Sequence, residues 1–206
     1  MSKLHTIQYK TYSFDELSDE AKEAAIENNR DINTNDDWHE FALEDWQEKL
    51  EDYGFINPKI SYTGFWSQGD GASFTCDYVD ILKVIQHINL PSKLNKNIKR
   101  ILKAGDEYIN IAVNRTCNHY SHESTCKAVA SHNYHYTHID QSIDELVTYI
   151  EELRIALSGD IYTSLRNEYE HLLSDESIQE TLICNECEFQ VDGTVPQHNI
   201  LMEALV

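Results

Sequence analysis

The hydrophobic pattern of this chain changes period along its length, and that change limits the fold more than any single motif. Up to Tyr53 apolar residues recur at helical spacing. From Ile56 they mostly alternate, with two helical stretches inserted, and from Ser142 the helical period returns. Helices flanking a block of strands joined by tight turns predict an α+β fold, a central antiparallel sheet of about four strands with helices packed against it. A chain of 206 residues fits one domain, 1–206.

Local signals fill in the elements. In "YSFDELSDEAKEAAIENNRDI", Ser13 with Glu16 fits a capping box, and Ser18 before Asp19 and Glu20 fits a second helix start. A helix from about Asp36 to Tyr53 gathers Trp38, Phe41, Ala42, Trp46, Leu50 and Tyr53 as its apolar face, ended by Gly54. "KISYTGFW" and "SFTCDYV" read as strands around the turn "SQGDGA". Asp80 to Ile88 is a short helix, and Ser92 to Ala104 a basic amphipathic one closed by Gly105. "EYINIAVNRT" and "TCKAVASHNYHY" are strands around the loop "CNHYSHES". Ser142 caps a helix to about Leu157, and Gly159 breaks it. Helical pattern then resumes over Asp160–Leu173 and Asp175–Ile183, before a short strand and an Asp192-Gly193 turn.

Charge is unevenly spread. The net charge is −20, of which residues 1–55 carry −10, residues 56–139 carry +3 and residues 140–206 carry −13. Acidic flanks repel phosphates, so the whole-chain charge points away from direct nucleic-acid binding and toward a partner with a basic surface. The same flanks also read as a plain solvated surface. Apolar runs are too short for a membrane span, and "MSKLHTIQYK" lacks the apolar core of a secretion signal. Five cysteines without framework spacing suit a reducing cytoplasm.

Chemistry concentrates in three places. Residues 117–138 hold five histidines and two cysteines. Cys117, His119, His122 and Cys126 are ligand types that suit Zn²⁺, but strand alternation sets His132 and His138 on one face and His135 on the other. His122-Glu123 pairs a proton-exchanging ring with a carboxylate, with no third partner fixed by spacing. Cys184-x-x-Cys187 is half of a zinc or redox site, placed where a helix gives way to a strand rather than the reverse. The third place is the turn itself. Three of the seven glycines lie within residues 62–76, and Gly69 and Gly71 permit positive φ or close backbone approach. Asp70 opposes simple phosphate cradling, and no lysine follows the glycines, which excludes a P-loop. Phe65 and Trp66 offer stacking surfaces, yet the same residues also suit a plain wet hairpin turn.

"YSFDELSDEAKEAAIENNRDI", "GFWSQGDGASF", "YSHES" and "NECEFQVDG" together resemble a family of uncharacterised accessory, non-structural proteins of tailed bacteriophages. Cys187 stands where that family more usually has tyrosine. The resemblance implies work in the cytoplasm of an infected host and transfers no catalytic residue. The resulting expectation is a protein that binds and inhibits a host or bacterial-defence protein, with acidic nucleic-acid mimicry as one version. A small-molecule, nucleotide or metal site built from loop 67–74 and loop 119–123 is the alternative, and an antitoxin-like partner of a basic toxin is another. The candidate contact residues are Trp66, Ser67, Gln68, Asp70, Ser73, His122 and Glu123. Nothing in the residues names a cofactor.

Overall fold

Ser13 and Ser18 each stand at the head of a helical turn as their spacing predicts. The Ser13 and Glu16 side chains form a capping box around a single 3₁₀ turn over Phe14–Glu16. Ser18 then accepts the amide of Ala21 at the head of α1 (Asp19–Asn28), with acids in its first turn. In this computed structural model residues 10–103, 109–132 and 137–196 are described. Residues 1–9, Gly105, His135 and the side chains of His132 and His138 lie outside them.

The chain divides into a terminal unit, residues 1–38 with 167–206, and a central unit, residues 39–166. In the terminal unit β1 (Tyr12–Ser13) pairs antiparallel with β8 (Glu188–Phe189), so residues from both ends of the sequence share one core. Phe14, Leu17, Ala21, Ala25 and Ile26 pack with Ile178 and Leu182 of α6 (Asp175–Cys184) and with Phe189. Cys187 packs against this cluster while Cys184 is exposed, so the two cysteines of the C-x-x-C sequence serve different environments. All five cysteines are free thiols.

The central unit begins with α2 (Glu40–Tyr53), whose Gly54 cap adopts a left-handed φ of 103°. Leu50 is fully buried, but Phe41 is 84% exposed. The expected apolar face was one residue class too wide. At about 100° per residue, Phe41 stands roughly opposite Leu50, whereas Trp46 and Tyr53 fall near it. Phe41 therefore sits among Glu40, Glu44, Asp45 and Glu48 on the outer face.

Two hairpins follow. β3 (Lys59–Thr63) pairs with β4 (Gly71–Thr75), the register closing at Thr63 opposite Gly71. β6 (Ile109–Arg115) pairs with β7 (Cys126–His132). A single bridge, Cys76 to Val113, links the hairpins through two backbone hydrogen bonds. Burial there pushes the Cys76 thiol up to about 11, which keeps it protonated and inert. The short pair β2 (Phe55–Ile56) and β5 (Tyr78–Val79) flanks the β3–β4 hairpin in sequence. The fold is α+β as expected, with its four main strands arranged as two hairpins joined at one bridge rather than as one continuous ladder.

Helices cover this β core. α3 (Ile81–Val84) is shorter than its sequence signal, and α4 (Ser92–Lys103) matches it. α5 runs unbroken over Thr137–Leu172, so Gly159 does not end it. A glycine costs about 1 kcal/mol in a helix interior, and Ile143, Leu146, Ile150, Leu157, Ile161 and Leu165, all buried on one stripe, outweigh that. Ser142 is buried inside the helix rather than capping it. Among the described residues no helix is long and apolar enough to cross a membrane.

Candidate functional site

Loop 64–70 closes the β3–β4 hairpin, and one carboxylate shapes it. Asp70 Oδ2 accepts the amides of Trp66 at 2.8 Å and Ser67 at 2.6 Å. A carboxylate that satisfies two neighbouring backbone donors fixes a turn strongly, because charge-assisted hydrogen bonds are the stronger kind. Asp70 is thus turned into its own loop.

The Phe-Trp pair separates. Phe65 is 9% exposed. It stacks on Tyr62 with ring centroids 5.9 Å apart and lies 5.8 Å from Tyr162. His39 meets Tyr62 edge-on at 5.4 Å, and the Tyr162 hydroxyl donates to the Phe65 carbonyl at 3.2 Å. Trp66, in contrast, is 66% exposed, with the Arg166 guanidinium 5.1 Å from its ring centroid. That cation–π contact restrains the indole without covering it. Ser67 and Gln68 beside it are exposed. Ser73 is 1% exposed in β4, with its hydroxyl 3.2 Å from that of Thr125, so it belongs to the core and not to a contact surface.

The loop between β6 and β7 lies directly against the glycine loop. A methyl group at Gly71 would fall 2.5 Å from His122 Cβ, and one at Gly69, where φ is +95°, would fall 2.9 Å from the Tyr120 ring. Gly71 therefore needs glycine because a neighbouring loop occupies the space a side chain would take, and Gly69 needs it both for that reason and for its left-handed φ. The sequence signal for a special turn has two causes, loop-on-loop packing and a positive φ.

Two arginines hold the second loop. Arg115, at the end of β6, donates to the carbonyls of Cys117 at 2.9 Å and Tyr120 at 3.0 Å, and to Ser121 Oγ at 2.7 Å. Arg154 of α5 is fully buried. It donates to the Glu123 carbonyl at 2.6 Å and grips both oxygens of Glu151, at 2.9 and 2.8 Å. Glu151 also accepts the Ala128 amide of β7 at 2.8 Å. Burial pushes the Glu151 carboxyl up, but the Arg154 hydrogen bonds, the Ala128 amide and the charges of Arg154 and Lys127 together hold it below the usual range. Sequence reading missed both arginines. Neither sits in a motif, and the Arg154–Glu123 contact spans 31 positions.

His122 and Glu123 accordingly serve the loop. His122 Nδ1 lies 2.8 Å from Ser124 Oγ and 3.3 Å from the Ser124 amide, capping the 3₁₀ turn Glu123–Thr125. Glu123 lends its carbonyl to Arg154, and its side chain is exposed. Among the described residues no three His, Cys, Asp or Glu side chains converge as a metal site. The loops bring Gln68, Asp70, His122 and Glu123 into one neighbourhood, as two adjacent hairpins require, but they display a different set. Trp66, Ser67, Gln68 and a 50% exposed Tyr120 face solvent.

The fold and this surface define an α+β protein that presents two interlocked, internally braced loops. Residues 38–175 match a family described as a domain of unknown function (DUF8835), and the chain belongs to that family. The match nearly coincides with the central unit, so both loops lie inside it, while the N-terminal helix and the closing "NECEFQVDG" lie outside. No curated protein and no solved structure matches the chain.

Proposed function

We propose that this is a binding protein whose contact surface is the two-loop face around Trp66. The observation that carries the reading is a 66% exposed tryptophan on a loop whose backbone is fixed by Asp70. An exposed aromatic anchor on a preordered backbone loses little freedom on association, and tryptophan and tyrosine dominate the centres of protein interfaces. α2 supports a basic partner, because Phe41 stands exposed among carboxylates there. The biological setting we propose, inhibition of a host or bacterial-defence protein in the host cytoplasm by a phage-encoded chain, rests on the family resemblance of the sequence. An antitoxin-like pairing with a basic toxin is the same physical reading with a different target. The small-molecule alternative is weaker, since two groups it would use are engaged within the loops, Asp70 Oδ2 by the Trp66 and Ser67 amides and His122 Nδ1 by Ser124.

The test is comparative capture by the full chain from infected and uninfected bacterial lysates at low salt, using wild type, Trp66→Ala and Gln68→Ala. The expected outcome is a specific protein retained by wild type and lost with Trp66→Ala, while the variant's thermal unfolding is unchanged. The reading fails if the captured set is the same for both, or if wild type retains nothing.

A further inference from the structure

α4 departs from the charge character of the rest of the chain. Five of the 16 Lys and Arg residues fall on its twelve positions, and none of the 36 Asp and Glu residues does. Leu94, Ile98 and Ile101 are buried, whereas Lys93, Lys96, Lys99, Arg100 and Lys103 are all exposed. At about 100° per residue these five cations share an arc of about 120°. None of them makes an ion pair with a described residue. Helix stability explains only part of this arrangement. Arg100 and Lys103 lie in the last turn, where the helix dipole favours cations, but α4 has no acid in its first turn, unlike α1 and α6, and Lys93 stands at the end where the dipole disfavours a cation.

We infer that the outer face of α4 binds the phosphate backbone of nucleic acid without sequence preference. This surface shares no residue with the two-loop face, and the inference stands apart from that reading. Three considerations select the occupant. Lysine supplies four of the five charges. It is depleted at protein interfaces, where exposed Lys–carboxylate pairs contribute little. Against a nucleic acid the same lysines release condensed counterions, which is the main source of sequence-independent affinity. The apolar stripe of α4 is used in the core, so the helix cannot lay that face into a lipid surface. The chain's net charge of −20 opposes a polyanion at long range, and this is why the whole-chain balance pointed the other way. At physiological ionic strength that repulsion is screened beyond about 8 Å, and the touching face decides. From Lys93 to Lys103 the helix rises about 15 Å, which matches roughly four phosphates of one strand of a duplex.

The experiment is fluorescence anisotropy of a labelled random-sequence DNA duplex, and of single-stranded DNA and RNA, titrated with the full chain. A dissociation constant on the order of 10⁻⁵ M is expected at about 50 mM salt, weakening toward about 200 mM with a log–log slope of about −3 to −4. Lys96→Glu with Lys99→Glu and Arg100→Glu should weaken binding more than about tenfold and flatten the slope. The same three positions changed to Gln should weaken it less, with unchanged thermal unfolding for both variants. The inference is overturned if wild type shows no binding at the lower salt, or if the charge-reversed chain binds as well. It is also overturned if vesicles containing phosphatidylserine bind but nucleic acids do not, or if salt-sensitive self-association accounts for the signal.

Discussion

The two loops of the central unit are held by different means. The backbone turn of the glycine loop is fixed from within, because Asp70 reaches back three and four residues to the amides of Ser67 and Trp66, and α5 adds only the Tyr162 hydroxyl on the Phe65 carbonyl. The histidine loop is held by guanidinium groups, that of Arg115 at the end of the strand leading into it and that of the buried Arg154, which reaches it from α5. Self-capping costs little entropy, since the groups are already close in the unfolded chain. A guanidinium brought from a distant helix must be desolvated, and that cost is offset only if its donors are matched. Arg154 meets that condition with Glu151, the Glu123 carbonyl and Ser158 Oγ at 3.5 Å. The difference implies that the first loop can be loosened alone, whereas disturbing the second disturbs the fold.

Arg154→Met is therefore the strongest test. It leaves the Glu151 carboxylate without its buried counterion and should cost about 3–5 kcal/mol in urea unfolding. Adding Glu151→Gln should restore most of the loss, because the orphaned charge and not the missing pair is the larger penalty. A single-variant loss below about 1 kcal/mol would put this pair in the class of surface ion pairs and erase the contrast between the loops.

Acid sharpens the same point. The Glu151 carboxyl is depressed in the folded state, so its contribution is fully present above the ordinary glutamate value of about 4.3. That contribution is lost as pH falls through the lower folded value. The stability difference between wild type and Glu151→Gln should shrink as pH is lowered through that window, read by urea unfolding at each pH. A difference that stays constant or grows would show that Glu151 is not held ionised by Arg154.

Asp70→Ala should act more locally. Losing two hydrogen bonds to a carboxylate at a partly exposed turn should cost about 1–2 kcal/mol. It should also speed hydrogen exchange at the Trp66 and Ser67 amides while leaving the hydrogen-bonded amides of Thr116 and Thr125 in the second loop unchanged. Asp70→Asn, which can still accept at the turn, should be milder. Equal acceleration in both loops would show that the glycine loop does not hold itself.

The same contrast explains what could be read in advance. Ser13 with Glu16, the Ser18 cap, the β6–β7 hairpin and the amphipathic period of α4 are local patterns that form where their residues predict. The first hairpin forms with its turn shifted, since β3 ends at Thr63, before Phe65 and Trp66, and β4 begins at Gly71. The readings that differ do so for two reasons. Gly159 reads as a break, and only the buried stripe of α5 carries the helix through it; Phe41 reads as core by composition, but its angular position on α2 already faces it outward. The site was half legible. "SQGDGA" announced a special turn, and Trp66 and Gln68 are displayed there. That Ser73 faces inward and that Arg154 braces the partner loop depends on contacts between distant segments, which no local spacing encodes, whereas the turn contacts of Asp70 and the loop contacts of Arg115 are local but form no familiar motif.

The smallest expected effect bears on whether the loops are one surface. Arg115→Lys keeps the charge but loses the planar fork, and one ammonium cannot reach Cys117, Tyr120 and Ser121 together. The stability cost should be only about 0.5–1 kcal/mol, because the side chain is exposed. Its value lies in where the change is felt. Gly69 packs beneath the Tyr120 ring, so releasing the Tyr120 carbonyl should move the amide resonances of Gly69 and Gly71 in a two-dimensional NMR spectrum. If those two resonances stay fixed while Tyr120 and Ser121 shift, the loops respond separately. A partner that needs Trp66 would then be indifferent to the histidine loop. If all four move, the glycines transmit the position of one loop to the other, and the contact surface around Trp66 is set by Arg115 as well as by Asp70.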